Sequence, residues 1–273
     1  STVNVHALIA STLDIADSAF LSGNISFQGD SEAAVMNLGT INAKDFAALI
    51  AGDVDNQGSI SVPGGDAALL SADAVIEVGD ASGGKITLDL SGLLGGSTSN
   101  SGSVDVASST TQGGSATILG EQVSVSGSVD ASGATGGGSI LIGGDFQGEN
   151  SAISNAQSLE VAGVISADAS SDGDGGSIIL WSDGDTRFSG SITGKGSGHG
   201  TGGFAEVSGI EILSFTGIVD LTSSSGISGS LLLDPTNITI KSSGGSANTS
   251  GNPSFVPSAS TGSIISESTL ETA

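Results

Sequence analysis

Three charged side chains between Trp181 and Phe188 have the types and the spacing to act on a sugar. Asp183, Asp185 and Arg187 lie two residues apart, so in a β-strand they would share one face, with neighbouring carboxylates about 7 Å apart. Two carboxylates at that separation suit an inverting glycosidase, which uses one as general acid and the other as general base. The three residues are therefore the candidate binding group of the chain.

A turn explains the same residues without catalysis. Asp-Gly-Asp at 183–185 has the composition of a corner in which aspartate side chains accept backbone N–H groups, and Arg187 would neutralise their charge. The sequence offers no long flanking loop that would build a substrate cleft, so we favour the corner and expect no enzyme. A polysaccharide-active or polysaccharide-binding protein that uses Asp183 and Asp185 is the alternative.

Two further acids, Asp105 and Asp130, are the candidate metal ligands. They occupy the same place in two consecutive copies of a repeated element, NSGSVDV (100–106) and VSGSVDA (125–131). If the copies are adjacent coils, the like charges stack about 5 Å apart, which is destabilising unless a cation such as calcium bridges them. We favour the alternative, solvated acids that limit aggregation, because the GGxGxDxUx nonapeptide of calcium β-rolls is missing.

Other cofactor and catalytic patterns are not supported. Gly194–Gly203 is rich in glycine like a phosphate loop, but it lacks Gly-Lys-Ser/Thr. His6 and His199 are far apart and the sequence has no cysteine, so zinc is not expected. No Gly-x-Ser-x-Gly elbow leads into a plausible helix. We therefore expect no cofactor, apart from calcium in the alternative above.

The composition restricts the partners of the chain. Its 273 residues include 29 acids and 5 bases, which gives a formal net charge of −24. Such a surface repels nucleic acids and anionic bilayers, and the sequence has no run of 18 apolar residues that could span a membrane. We therefore exclude nucleic-acid partners and direct membrane insertion.

The spacing of the apolar residues is that of short β-strands. Ala205 and Val207 flank Glu206, and this period of two places the acid on the opposite face from the apolar pair. Gly-Gly at 175–176 recurs 27 residues later at 202–203, and a fixed period in this range is typical of solenoids. We predict an all-β parallel β-helix of about nine to ten coils, with inward columns of Val, Ile, Leu and Ala and an acidic, Ser/Thr-rich exterior.

Two glycine-marked elements alternate along the chain. The second is Gly-Gly followed by apolar residues, as in GGDAALL (64–70) and GGSIIL (175–180). Glycine is expected at the corners because positive φ is free only to glycine. Gaps of 44 and 36 residues between copies of the first element are expected to contain a degraded coil or a loop such as Ser91–Ser101 or Gly143–Ala156. The first element, a corner glycine leading into a strand, has seven copies: NLGTINA (37–43), NQGSISV (56–62), NSGSVDV (100–106), VSGSVDA (125–131), VAGVISA (161–167), FSGSITG (188–194) and FTGIVDL (215–221).

The repeats divide the chain into three parts. Residues 1–240 are assigned to the β-helix, and their least repetitive portion includes a short helical or turn segment at Asp14–Phe20. Residues 241–260 contain two prolines and are expected to be a loop or linker. Residues 261–273 have the pattern of a partial further coil.

Four segments carry a resemblance to a known family. GGSIILWSDGDTRFSGSITGKG (175–196), GTGGFAEVSG (200–209) and GSLLLDPTNITI (229–240) resemble the haemagglutination-activity-domain proteins of the two-partner secretion family, the filamentous-haemagglutinin-like exoproteins of Gram-negative bacteria. VNVHALIASTLDIADSAFLSGNISF (3–27) resembles the part of their secretion domain that follows an Asn-Pro-Asn-Gly segment, which is absent from this sequence. The resemblance implies a right-handed β-helix that is exported through an outer-membrane partner pore and displayed or released as an adhesin.

The fold and the resemblance together predict a mechanical and adhesive function. The chain is expected to be secreted, extracellular or on the outer cell surface, as a stiff fibre segment that contacts host-cell, neighbouring-cell or matrix glycans. Self-assembly into a homopolymer is a further expectation, because both ends of a β-helix expose unpaired backbone groups. Val3 and Val5 at one end and Ile264 and Ile265 at the other are the candidate assembly residues.

Overall fold

The computed structural model is an almost entirely β structure. It describes residues 1–15, 17–21, 25–28, 31–71, 76–81, 85–89, 95–224, 226–236, 238–241 and 263–266. A short helix α1 (Asp17–Leu21) overlaps the segment 14–20 that was predicted as helix or turn, but the start of that segment is a strand, Asp14–Ile15. A 3₁₀ turn spans Phe146–Gly148. The strands of the described residues are β1 (Thr2–Ser11), β2 (Asp14–Ile15), β3 (Ile25–Gln28), β4 (Ala34–Asn37), β5 (Thr40–Ala51), β6 (Asp53–Asn56), β7 (Ser59–Ser61), β8 (Asp66–Ser71), β9 (Ile76–Ala81), β10 (Lys85–Asp89), β11 (Ser97–Asn100), β12 (Ser103–Asp105), β13 (Ser115–Leu119), β14 (Gln122–Val125), β15 (Ser128–Asp130), β16 (Ser139–Ile142), β17 (Ala156–Val161), β18 (Val164–Ser166), β19 (Ser177–Phe188), β20 (Ser191–Thr193), β21 (Phe204–Gly209), β22 (Ile212–Phe215), β23 (Ile218–Asp220), β24 (Ser230–Leu232), β25 (Ile238–Lys241) and β26 (Ser263–Ser266).

Twenty-two of these strands form one sheet that winds into a parallel β-helix. Each strand pairs in parallel with the strand at the same place one coil further on, around three faces. Face 1 consists of β4, β6, β11, β14, β17, the second half of β19, and β22. Face 2 consists of the first halves of β1 and β5, then β7, β12, β15, β18, β20 and β23. Face 3 consists of the second halves of β1 and β5, then β8, β13, β16, the first half of β19, β21 and β24. The predicted all-β parallel β-helix is confirmed, with eight strands stacked on face 2 and eight on face 3 in the described residues.

The interior is filled by apolar columns that run along the stack. Val104, Val129 and Ile165 lie directly above one another on face 2, and each is at most 2% exposed. Because successive side chains of a strand point to opposite faces, the acids and hydroxyls between these residues point outward. The predicted inward columns of Val, Ile, Leu and Ala are therefore present.

The corner glycines of the first element allow the coils to approach one another. A Cβ atom on Gly102 would lie far inside van der Waals contact with the carbonyl oxygen of Gly58 one coil earlier, and Gly127 meets Gly102 in the same way. Neither Gly102 nor Gly127 has a positive φ. Glycine is therefore required at these corners for close backbone approach, and the expectation based on positive φ does not apply to them.

A ladder of buried asparagines supports face 1 at its end next to the corner glycines. Asn37 Nδ2 donates to Asn56 Oδ1, and Asn56 Nδ2 donates to Asn100 Oδ1, both at 2.7 Å. The next coils place Val125 and then Val161 at the same position, and after them Phe188 and Phe215 with ring centroids 5.2 Å apart. The column thus changes from amide hydrogen bonds to apolar and aromatic packing along one molecule.

The outer side of face 3 differs from the expected acidic exterior. Ala47 and Leu49 of β5 belong to the interior, whereas the alternating residues Ala48 and Ile50 belong to a second buried apolar cluster. Phe27 of β3 packs against this outer cluster, which places the antiparallel sheet β2-β3-β9-β10 over face 3. Strands that are buried on both sides have continuous apolar runs, so runs such as Ala67–Leu70 indicate a covered face. The remaining members of the outer cluster are Leu13, Phe46, Ala68, Leu70 and Leu119, with Ile9 and Ile153 packed against it.

Both long gaps between copies of the first element contain excursions from the stack. Residues 72–96 connect β8 to β11, which occupy adjacent coils, and they include the hairpin β9–β10. Residues 143–155 connect β16 to β17 and form the loop predicted at Gly143–Ala156. Both excursions leave the stack at the corner where face 3 turns into face 1.

The C-terminal parts are described only at two strands. β26 pairs in parallel with β25, and Ile264 is paired with Ser214 of β22. Residues 242–260, which form most of the predicted linker, lie outside the described residues. In the described part of the chain, no helix has the length and apolar character needed to cross a membrane.

Candidate binding surface

The segment with the three charged residues belongs to a single strand, β19, which passes from face 3 to face 1. The strand remains extended through Asp-Gly-Asp, so these residues bend around the corner without forming a separate turn. Asp183, Asp185 and Arg187 alternate along the outer side, as period-two geometry requires. Between them, the inward Thr186 hydroxyl donates to the Ser208 carbonyl oxygen at 2.7 Å and fixes the corner to the next coil.

Asp183 is bound by side chains, not by the backbone. Its Oδ1 accepts from the indole Nε1–H of Trp181 at 3.0 Å and from Nδ2 of Asn155 at 2.9 Å. Trp181 is only 4% exposed. The carboxylate of Asp183 therefore holds the tryptophan ring to the loop that covers it, which is a structural task and differs from the predicted capping of backbone N–H groups.

Asp185 and Arg187 form the exposed end of the group. Their side chains are paired at 3.2 Å, with the guanidinium 57% exposed and the carboxylate 31% exposed. Exposed ion pairs contribute little to stability, so this pair is free to exchange its contact for one with a ligand. The predicted neutralisation by Arg187 applies to Asp185.

Residues Gly143–Asn155 cover Trp181, and we call this segment the strap. Its first turn is fixed by Asp145, whose carboxylate accepts from the backbone N–H of Phe146 at 2.7 Å and from Asn150 Nδ2 at 2.6 Å. Gly148 has a φ of 62° and lies against the indole, where a Cβ atom would collide with the ring nitrogen of Trp181. The expectation that no long loop flanks Asp183 was wrong, because the strap packs directly on this site.

Glu206 is a functional candidate that the sequence pattern did not reveal. It lies on the outer side of β21 and is 0% exposed. Its carboxylate accepts from the backbone N–H of Gln147 in the strap at 3.1 Å and from the Ser208 hydroxyl at 3.0 Å. Burial raises the pKa of Glu206 to about 7, although the two hydrogen bonds favour ionisation.

The period-two pattern correctly placed Glu206 on the outer side but wrongly implied contact with solvent. Its neighbours at the same position are Ile179 in the preceding coil and Leu232 in the following one. The outer column of face 3 is thus apolar on both sides of Glu206. An alignment of the Gly-Gly repeats with one another would have singled out this glutamate.

A shallow groove of mixed polarity, with a volume of about 540 Å³, lies beside the strap. Its walls include Leu141, Ile179 and Phe204 from face 3. Phe146 of the strap packs edge-on against Phe204, with centroids 5.8 Å apart, and is itself 47% exposed. The strap therefore separates a covered tryptophan from an open aromatic groove.

Asp105 and Asp130 lie in adjacent coils, as their repeat positions predicted. They are direct partners in the register of β12 and β15. Each carboxylate also accepts the backbone N–H two residues further on, from Ala107 and Ser132 respectively, at 2.9 Å. In the described residues no group of three or more His, Cys, Asp or Glu side chains could hold a metal ion, so calcium binding by this pair stays a prediction.

The glycine-rich loop Gly194–Gly203 is held by acids of the preceding coil. Asp168, Asp172 and Asp174 accept the backbone N–H groups of Lys195, His199 and Thr201, at 2.6, 2.7 and 2.6 Å. Each donor follows its acceptor by 27 residues, which is the repeat period. Hydrogen bonding by the His199 backbone lowers the pKa of Asp172. These acids hold the loops of adjacent coils together, which is a structural role and not that of a phosphate loop.

The four candidate assembly residues lie near opposite ends of the stack. Val3 and Val5 of β1 are each 38% exposed, in the strand that begins the stack and pairs with β5. Ile264 and Ile265 belong to β26, which extends the stack beyond β22. Because β26 lies between β22 and β25 and pairs with both, Ile264 and Ile265 do not form a free end of the stack in the described residues, and assembly stays a prediction.

Three chains among the solved structures match this chain. The chain is similar to the crystal structure of the HMW1 secretion domain from Haemophilus influenzae, with a TM-score of 0.60 and 21% sequence identity. The similarity covers 85% of this chain and 76% of that one. No protein-family model and no curated protein sequence matches the chain. The fold is thus shared with a secretion domain over most of its length.

Proposed function

We propose that the chain is a β-helical part of a secreted exoprotein of the two-partner type. It is exported through a partner pore in the outer membrane of a Gram-negative bacterium and is displayed on, or released from, the cell. The observation that carries this proposal is the similarity to a secretion domain across 85% of the chain, which involves the coil stack as a whole. The four sequence segments quoted above support it independently.

Surface labelling tests the location. Antibodies raised against the purified chain should label intact cells of the source organism, or should detect the protein in the culture medium. A periplasmic protein serves as the control and should stay unlabelled until the outer membrane is permeabilised. Labelling of the chain only after permeabilisation would contradict the proposal.

We further propose a binding role in adhesion, with glycans of a host cell, a neighbouring cell or a matrix as the partners. The exposed pair Asp185 and Arg187 supports this, because a guanidinium and a carboxylate offer hydrogen-bond donors and acceptors to sugar hydroxyls. Asp183 is already engaged by Trp181 and Asn155, so we propose a binding role for the group in preference to a catalytic one.

A glycan array with matched variants tests adhesion. Arg187→Ala should lower binding of the preferred glycan by about tenfold, the effect of losing one or two charge-assisted hydrogen bonds. Lys195→Ala is the control, since Lys195 also pairs with an acid, Asp220, at 2.8 Å but belongs to another part of the surface. Equal binding by both variants would count against Asp185 and Arg187 as the site.

Self-assembly is a second candidate, favoured by the exposed valines of the first strand. Strand edges at the end of a stack are templates for pairing with another chain. Val3→Asp combined with Val5→Asp should abolish filaments seen by electron microscopy, whereas Val164→Asp should not, because Val164 is 52% exposed but lies in the middle of the stack. Short single rods from the unmodified chain would exclude the assembly.

A further inference from the structure

In addition to the packing of Phe146 against Phe204, hydrogen bonds accepted by Asp183 and Glu206 fasten the strap to the coil stack at two places. At one place Asn155 Nδ2 bridges the Gly148 carbonyl oxygen at 3.1 Å and Asp183 Oδ1 at 2.9 Å. At the other, Gln147 donates its backbone N–H to Glu206. Gln147 has a φ of 54°, and it is the sole non-glycine residue with a positive φ in the described chain. A conformation that is unfavourable for this residue is therefore maintained where the strap meets a buried carboxyl group.

We propose that the strap is a pH-gated cover, which closes over Trp181 when Glu206 is protonated and loosens when Glu206 ionises. The closed strap removes Glu206 from water completely. Burying a neutral carboxyl group that has hydrogen-bond partners costs little, whereas burying an ionised one is expensive. Loosening the strap gives the carboxylate access to water, so ionisation favours the loosened state.

The groups that face Glu206 increase this preference. Asp145 of the strap and Asp234, which follows β24, both act on it as like charges. The adjacent strands β19 and β24 present the apolar Ile179 and Leu232, and Ser208 of its own strand presents a hydroxyl. An ionised Glu206 would thus be surrounded by two acids and apolar side chains. Only the hydrogen bonds from Gln147 and Ser208 would stabilise its charge.

The pH range follows from the shift of this carboxyl group. The pKa of Glu206 is about 7 under the strap, against 4.5 for an ordinary glutamate, so between these values the closed form binds more protons than the loosened one. Raising the pH therefore loosens the strap. The ratio of loosened to closed forms should grow by about two orders of magnitude between pH 4.5 and 7, and should level off above pH 7.

Fluorescence of Trp181 tests the proposal directly. Trp181 is the only tryptophan of the sequence, which also lacks tyrosine, so the emission reports on the ring under the strap. In the full chain, acrylamide quenching should increase and the emission should shift to the red as the pH rises from 5 to 8. Far-ultraviolet circular dichroism should stay constant, because the coils themselves do not unfold.

Three variants distinguish the proposed cause from others. Glu206→Gln keeps a hydrogen-bond acceptor but cannot ionise, so its quenching should not change with pH, whereas Glu32→Gln, at an exposed glutamate far from the strap, should behave as the unmodified chain. Asp234→Asn removes one like charge, so its quenching should level off at a lower pH. If Glu206→Gln does not fold, the Asp234→Asn shift decides the question.

Two results would overturn the proposal. One is quenching of the unmodified chain that stays constant from pH 5 to 8. The other is a pH response that persists unchanged in Glu206→Gln or, should that variant not fold, in Asp234→Asn. Neither result depends on export or on adhesion, so the proposed function and the cover can fail separately.

Discussion

At the scale of single residues, Asn56 is a fully buried polar residue in the middle of the asparagine ladder. It is 0% exposed, accepts from Asn37 and donates to Asn100. Its Nδ2 also reaches the Ser103 carbonyl oxygen at 3.3 Å. A ladder of this kind satisfies each amide through its neighbours, so the loss of one member leaves polar atoms buried without partners.

Asn56→Ala should therefore lower the free energy of unfolding by about 2–4 kcal/mol. Asn42→Ala is the matched control, because Asn42 makes a similar 2.7 Å bond to Asn4 on the exposed side of face 2. Chemical denaturation of both variants measures the difference. Equal losses would show that burial of the ladder does not matter.

The stacked acids of face 2 give a second prediction at this scale. Asp130→Asn removes one of two adjacent like charges but keeps the oxygen that accepts from Ser132. In the presence of a chelator, this variant should be more stable than the unmodified chain by roughly 0.2–1 kcal/mol, because the repulsion between the two charges is relieved. Its unfolding temperature should therefore be slightly higher.

Calcium should then raise the unfolding temperature of the unmodified chain but not that of Asp130→Asn. Asp17→Asn, at an exposed acid of helix α1, serves as the control and should keep the calcium response. Differential scanning calorimetry with and without calcium makes the comparison. A response that is the same in all three proteins would assign any calcium effect to general charge screening.

At the scale of elements, the corner between faces 3 and 1 tolerates additional chain. The strand β19 crosses this corner without a break. Two residues cross it between β13 and β14, and the 13 residues of the strap cross it between β16 and β17. The strands on either side stay paired in parallel in each case, with one register shift between Ala156 and Ser158 where β17 pairs with β19. Extra residues at this corner therefore extend outward and leave the stack intact.

An insertion of eight Gly and Ser residues between Gly120 and Glu121 should cost roughly 1 kcal/mol or less, mainly as loop entropy. The same insertion between Gly127 and Ser128 should cost several times more, because Gly127 touches the backbones of adjacent coils. Thermal unfolding of the two variants compares these corners. Equal losses would contradict a special role for the corner at Gly120.

Sequence patterns predicted the coil interior well and the outer layer poorly. Period-two alternation located Ile165 and the outward acids, because each coil repeats the same local rule. The outer cluster depends on Phe27 of β3 and on Ile153 of the strap, which come from distant places in the chain and carry no repeat. Glu206 followed the local rule and was still misjudged, since its burial is imposed by the strap and by apolar residues of other coils.

The candidate site was likewise predicted correctly within one strand and missed where it depends on distant parts of the chain. Spacing alone correctly placed Asp183, Asp185 and Arg187 on one side of an extended strand. It could not show that Trp181 and Asn155 donate hydrogen bonds to Asp183, because Asn155 is 28 residues away in sequence. Contacts between coils were predictable where two copies of a repeated element could be aligned, as for Asp105 and Asp130.

At the scale of the whole molecule, the surface charge opposes compact stacking. A formal charge of −24 is spread over a rod in which acids recur on consecutive coils. Self-repulsion of this kind is screened by salt. The hydrogen bonds that backbone N–H groups donate to Asp168, Asp172 and Asp174 offset part of it locally.

Raising NaCl from about 20 mM to 500 mM should therefore raise the unfolding temperature, by roughly 3–6 °C. The measurement is made in a chelator so that traces of calcium do not contribute. Sucrose of matched osmolality serves as the uncharged comparison. A lower unfolding temperature at high salt would indicate that attractive ion pairs, such as Lys195 with Asp220, outweigh the repulsion.

The insertion-tolerant corner also has a consequence for how the rod meets its surroundings. Both excursions emerge along one line parallel to the axis, whereas the corner between faces 1 and 2 consists of close-packed glycines such as Gly102 and Gly127, with little room for change. Lineages can then diversify the protein along this line at low cost to its stability. Antibodies and other shape-specific molecules would then meet a variable ridge along one side of the rod.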